Sequence, residues 1–224
     1  MIAHIDRPAP DNRDGDPQDP PLRFRPMTTP ILILAAGSSS RMHGRDKLLE
    51  PVNGIPLLRD RAETALATGH PVSVALRSLE DTRATALNGL PVSRLHCPDA
   101  AEGFSGTLRN AVTAMPRARR LMLLLADLPD LTTEDLNTVL KASDDRPDYA
   151  IWRGATDSGK PGHPIVISDQ VRPGFAALSG DSGGKAALAP FADATCLIPL
   201  PGSHALNDLD TPEDWAAWRA RRPD

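Results

Sequence analysis

The sequence predicts an α/β fold built on a mostly parallel central sheet, and three observations carry that expectation. From Ile31 onward, short β-rich apolar runs alternate with longer segments of helical period, the pattern of parallel strands joined by crossover helices. The run at 121–126, LMLLLA, is apolar at every position, as expected of a strand covered on both faces, so it should stand at the sheet centre. The 224 residues suffice for one domain with a substantial core.

Taken in order, residues 31–35 form the first strand. Residues 56–68 form the first helix, whose buried face is Leu57, Leu58, Ala62, Ala65 and Leu66 and which ends at Gly69. Residues 71–77 are the second strand, 79–88 a helix closed by Gly89, and 92–96 a short third strand. After a loop holding Gly103 and Gly106, residues 107–114 are helical. The central strand at 121–126 runs into Asp127-Leu128-Pro129. Thr132 or Thr133 then caps a helix to 143, with Glu134 and Asp135 in its first turn. Strands at 149–152 and 165–167 flank a loop rich in Gly and Pro. Helices at 170–178 and 183–191, a strand at 195–199 and a helix at 212–221 complete the chain.

Composition narrows the function classes. A net charge of -4 and a pI near 5.9 give no broad cationic footprint for nucleic acid or an anionic membrane, so any phosphate binding must be local. Cys97 and Cys196 have no CxxC spacing, which argues against a disulfide framework or zinc site and fits a reducing cytoplasm. No stretch approaches the roughly 18 apolar residues of a membrane span. Residues 1–29, rich in Pro, Asp and Arg, are expected to form a disordered tail ahead of a single domain at 30–224, and Met27 is a candidate natural start.

The chemistry concentrates in LILAAGSSSRMHGRDKLL, where a strand passes through Ala35, Ala36 and Gly37 into Ser38 and then presents Arg41, Arg45 and Lys47. Small side chains let backbone N–H groups approach an anion, and the cations neutralise it, which suits a polyphosphate. The two commoner phosphate motifs fail. Only Gly37 stands where a dinucleotide fingerprint needs GxGxxG, and the stretch ending at Lys185 has Ser179 for the first P-loop glycine and Ala186 after the lysine.

Asp127, at the end of the central strand, is placed either to cap a turn or to bind a cation. Mg²⁺ is usually held by one or two carboxylates plus substrate phosphates, so a second acid is wanted. Thr211, Pro212, Glu213 and Asp214 form a helix-start signal, which leaves Asp208 and Asp210 to supply it.

With these residues the chain from Ile31 onward resembles the MobA-like nucleotidyltransferases, and within them the molybdenum cofactor cytidylyltransferases. The resemblance rests on LAAGSSSRM, DKLL, GFSGTLRNAV, LADLP, GKPGHPIVI, LSGDSGGK and LDTPEDW, in that order. Ala-Ala-Gly with Lys47-Leu48-Leu49 looks like the cytidylyltransferase branch, whereas the guanylyltransferase branch usually reads Ala-Gly-Gly. One departure is visible: His43 interrupts Arg-Met-Gly and Gly44 follows one position late.

The resemblance implies a three-layer, Rossmann-like fold of GT-A type, with a nucleoside triphosphate over the N-terminal half of the sheet and the acceptor over the C-terminal half. It assigns nucleotide binding to Ala35, Ala36, Gly37, Ser38, Arg41, Lys47, Ser105 and Gly106. Metal binding falls to Asp127 with Asp208 or Asp210, and acceptor binding to Gly162 and His163. Arg41, Lys47 and Asp127 are the catalytic candidates. The implied reaction transfers CMP from CTP to molybdopterin with Mg²⁺ as cofactor, and a molybdoenzyme or its chaperone is a further partner. A guanylyltransferase, a sugar- or alcohol-phosphate nucleotidyltransferase and a non-catalytic nucleotide- or cofactor-binding module are the alternatives.

Overall fold

The computed structural model describes residues 28–180 and 183–222; most of the expected tail, and Met27 with it, lies outside them. A seven-stranded sheet runs β5(Ser93–His96), β4(Val72–Leu76), β1(Ile31–Leu34), β6(Arg120–Leu125), β8(Pro161–Ser168), β7(Ile151–Ala155), β9(Thr195–Pro199). The apolar strand β6 is the middle one. Only β8 pairs antiparallel with its neighbours, so the sheet is mostly parallel, as its alternation of strands and helices predicts.

Side-chain alternation divides the core into two layers. Ile31, Ile33, Met122 and Leu124 point to one face, where α1(Leu57–Leu66), α4(Thr133–Asp145) and α7(Pro212–Ala220) bring Leu57, Leu58, Leu136, Val139 and Trp215. Leu32, Leu34, Leu121 and Leu123 point to the other, against α3(Phe104–Ala114), α5(Arg172–Ala176) and α6(Lys185–Leu188). This is the three-layer α/β architecture expected of the chain.

Several bounds differ from the sequence expectation for local reasons. Helix α2(Thr82–Ala86) starts at Thr82 because the Asp81 carboxylate accepts from Ala84 N at 2.9 Å, leaving Leu79 and Glu80 outside. Helix α3 starts three residues earlier than predicted, at Phe104, after Gly103 breaks the chain at φ 103°. The expected helix at 183–191 is split into α6 and a 3₁₀ segment, Ala189–Ala194, with Pro190 in its first turn. A small hairpin, β2(Pro51–Val52) and β3(Ile55–Pro56), adds an element beyond the sequence expectation. Its turn is Asn53-Gly54, both left-handed, at φ 51° and 81°.

Two features position the site. Leu34 pairs with Leu125, so the chain leaves β1 and β6 side by side at their carboxyl ends. The C-terminal segment is tied to the same edge where Leu209 N donates to Asp127 O at 3.1 Å. Helix α7 then starts with the predicted signal: Thr211 and Asp214 form a reciprocal capping box, with Pro212 in the first turn.

Candidate active site

The loop after β1 turns twice through left-handed backbone. Ser39 at φ 46° and His43 at φ 50° flank a 3₁₀ turn over Ser40–Met42, and Gly44 follows at φ 86°. The late glycine is thereby absorbed as one bend, which buries Met42 and leaves Arg41 at the cleft. Asp46 caps the next turn, Lys47–Leu49, by accepting from Leu48 N at 3.0 Å.

A cleft of about 460 Å³ opens at this edge, lined by the loop on one side and by Asp127, Asp208 and Asp210 on the other. Lys47 reaches across it. Its Nζ donates to Asp127 Oδ2 at 2.5 Å and to Asp210 Oδ1 at 2.7 Å, while Arg41 pairs with the second Asp210 oxygen at 2.7 Å. Burial alone would lower the Lys47 pKa, but the two carboxylates override it and hold the ammonium above its ordinary range. Burial, followed by the negative charge of Asp210 and Asp127, pushes the Asp208 carboxyl up.

These donors fit a hard divalent cation. Three carboxylates face the cleft, Asp127 Oδ1 is buried with no hydrogen-bond partner, and Asp208, its carboxyl pushed up by burial and by Asp210 and Asp127, stands among like charges that a cation would relieve. Among the described residues no three His, Cys, Asp or Glu side chains form a complete metal cage. A cation held here would complete its coordination with water and substrate phosphates.

Of the residues predicted for the nucleotide, Ala35, Ala36, Gly37, Ser38, Arg41 and Lys47 line this cleft. Ser105 and Gly106 do not; both are buried in the first turn of α3. Ser105 Oγ accepts from Gly183 N at 3.1 Å, and a Cβ on Gly106 would stand 2.1 Å from Asp99 O, so both serve packing. Their neighbours Phe104 and Thr107 line the cleft instead.

A second cavity of about 450 Å³ shares Leu34 and Phe104 with the first. It is largely apolar, with Arg153, His163 and Lys185 as its polar groups. Burial, then the Arg153 charge, depresses the His163 pKa to about 4, so the ring is neutral near pH 7. Gly162 lines neither cavity; a Cβ there would lie 2.0 Å from Ala205 O, so its glycine is required by close backbone packing.

The sequence reading missed Arg83, Asp46 and Phe104. Arg83 is 7% exposed and spreads its guanidinium under the loop, a placement its local sequence does not signal. Phe104 is 46% exposed and lines both cavities; a large aromatic directly after Gly103 was the available sequence signal.

The sequence family agrees with this geometry. Residues 31–195 match the MobA-like NTP transferase domain. The chain belongs to this family. As a MobA-like nucleotidyltransferase it is 32% identical, over 202 residues, to a probable molybdenum cofactor guanylyltransferase of Synechococcus elongatus, covering 85% of this chain and 98% of that one. It is 28% identical over 189 residues to a nicotine blue oxidoreductase of Paenarthrobacter nicotinovorans, covering 81% and 92%. The crystal structure of Rv0371c from Mycobacterium tuberculosis superposes on this MobA-like chain with a TM-score of 0.70 at 25% identity, over 85% and 97% of the two chains.

Proposed function

We propose that this nucleotidyltransferase transfers CMP from CTP to molybdopterin, with Mg²⁺ as cofactor and pyrophosphate as the second product. The observation that supports it most is Lys47, held between Asp127 and Asp210 where β1 and β6 end, beneath a loop of small residues and Arg41. A phosphate oxygen of the acceptor forms the new bond to the α-phosphorus of CTP. The bond from that phosphorus to the α,β-bridging oxygen breaks, and its electron pair leaves with pyrophosphate.

The nucleophile is already an anion, so the reaction needs no strong general base. Its difficulty is bringing two anions together, and the chain answers with position and charge. Lys47 and Arg41 neutralise the triphosphate, and the backbone from Ala35 to Ser38 cradles it. The carboxylates of Asp127 and Asp208 or Asp210 would hold Mg²⁺, which supplies charge stabilisation at the transferring phosphoryl group. The second cavity, with Arg153, His163 and Lys185 set in apolar walls, receives the acceptor beside the α-phosphate.

Ala35-Ala36-Gly37 together with Lys47-Leu48-Leu49 favours CTP, and the guanylyltransferase relative keeps GTP as the rival. The relative named an oxidoreductase supports a second reading, against which only Gly37 stands in the turn after β1.

The test is pyrophosphate release with CTP and with GTP, each with and without molybdopterin, and a parallel assay of reduced nicotinamide oxidation. Release with CTP that depends on acceptor is the expected result. Release with GTP alone assigns the sister activity. Nucleotide binding without release favours a binding module, and nicotinamide oxidation in its place would overturn the proposal.

A further inference from the structure

Arg83 belongs to the short helix α2, outside the loop and outside the cleft, yet its guanidinium is committed to the loop. Nη1 donates to Ala35 O at 2.6 Å and Gly37 O at 2.7 Å. Nη2 donates to Ser39 Oγ at 3.0 Å and Asp46 Oδ1 at 2.8 Å, and Nε donates to Asp46 Oδ2 at 2.6 Å. Ser39 Oγ in turn donates to Asp46 Oδ1 at 3.1 Å and accepts from Lys47 N at 3.3 Å. One planar fork therefore ties the start of the loop, residues 35–39, to its end at residues 46 and 47.

We propose that Arg83 is the positioning residue of the phosphate loop, with Asp46 as its counter-ion. Two consequences of the geometry carry this. A carbonyl facing a triphosphate would repel it; Arg83 binds the Ala35 and Gly37 carbonyls and so offsets their negative ends at the start of the loop. The same guanidinium fixes Asp46 and Ser39, which bracket the Lys47 backbone, and so aims Nζ across the cleft. Asp46 neutralises Arg83 locally: burial alone would raise its pKa, yet the Arg83 hydrogen bonds and charge hold its carboxyl below the ordinary range. The charge presented to substrate is then that of Arg41 and Lys47, and Arg83 acts through shape. Lysine, a point charge, cannot reproduce a planar fork with five bonds.

The inference rests on the loop being a triphosphate loop, and the experiment separates the two ideas. Inorganic tripolyphosphate with Mg²⁺ is titrated by calorimetry into the wild type, Arg83→Lys and Arg172→Lys. Arg172 is the control: it bonds the carbonyls of Val112, Met115 and Pro116, away from the cleft. Thermal melts and pyrophosphate release are measured alongside.

Arg83→Lys is expected to weaken tripolyphosphate binding and lower kcat, the latter by about 10²-fold, the scale of an ångström-sized misplacement. Guanidinium ion added to Arg83→Ala is expected to restore part of the loss. Asp46→Asn should cause a similar loss, and the double variant should fall short of the product of the two. Wild-type affinity and kcat in Arg83→Lys would overturn the proposal, as would an equal loss in Arg172→Lys at matched thermal destabilisation. Failure of the wild type itself to bind tripolyphosphate would instead remove the triphosphate reading of the loop.

Discussion

At the scale of single residues, the cleft is an electrostatic arrangement in which each charge depends on its neighbours. Removing Lys47 leaves Asp127 and Asp210 facing each other, with Arg41 paired to Asp210, and takes away a cation expected to act on the triphosphate. Lys47→Ala is expected to lower turnover by about 10²–10³-fold, the usual cost of one preorganised interaction, with an unchanged circular dichroism spectrum; wild-type turnover would contradict the assignment. His163 makes a pH prediction. In the unfolded chain a histidine titrates near about 6.5, but in the folded chain this ring is held near about 4, so between those values the unfolded state binds the extra proton. Stability contributed by the neutral ring is full above that window and falls as pH drops through it. His163→Gln should flatten the fall in urea midpoint across the window, and an unaltered profile would refute the link. Ser38, Arg41 and Lys47 were legible in the sequence because small residues and cations crowd one short loop. Arg83 was not, since its partners lie 37 to 48 residues away and nothing around it in sequence points to them.

At the scale of elements, the strands and most helices followed from apolar period, and several of the misjudged edges have a local cause. Gly103 moves the start of α3 to Phe104, which carries Ser105 and Gly106 from an expected loop into a packed first turn. A glycine in sequence says only that backbone comes close to something; at Gly162 that something is the Ala205 backbone. Gly162→Ala would push its methyl carbon into the Ala205 backbone on the neighbouring segment. Such overpacking typically costs about 1–3 kcal/mol, and equilibrium urea denaturation should show it, while tripolyphosphate affinity stays at the wild-type value. The cap of α7 is a second case. Thr211 Oγ1 accepts from Asp214 N at 3.1 Å, so Thr211→Ala should cost about 1 kcal/mol and loosen the segment that carries Asp208 and Asp210. A rise in nucleotide KM should accompany that loss, and an unchanged KM would separate the cap from the site.

At the scale of the whole molecule, the candidate site joins distant parts of the chain: the loop after β1, the end of β6 and the approach to α7. The sequence supplied all three contributors, but only the pairing of Leu34 with Leu125 and the bond from Leu209 N to Asp127 O explain their meeting. The proposed metal dependence is a property of this assembly. Because the described residues hold no complete protein cage, Mg²⁺ alone should move the melting temperature little, whereas Mg²⁺ with triphosphate should raise it by the linkage of binding to folding. Excess chelator should abolish pyrophosphate release, and magnesium should restore it; a large shift with Mg²⁺ alone would show a preformed site.

The reversed strand β8 has one more implication. Every other strand of the seven-stranded sheet delivers its carboxyl end to the functional edge, but β8 arrives there with its beginning, so β7 and β8 meet in a tight connection, residues 156–160, close in sequence to His163. Such a connection can change length or sequence without altering β1, β6 or their loop. If the proposed function holds, changes in this turn should alter acceptor preference while leaving tripolyphosphate affinity at the wild-type value, although Leu34 and Phe104 line both cavities.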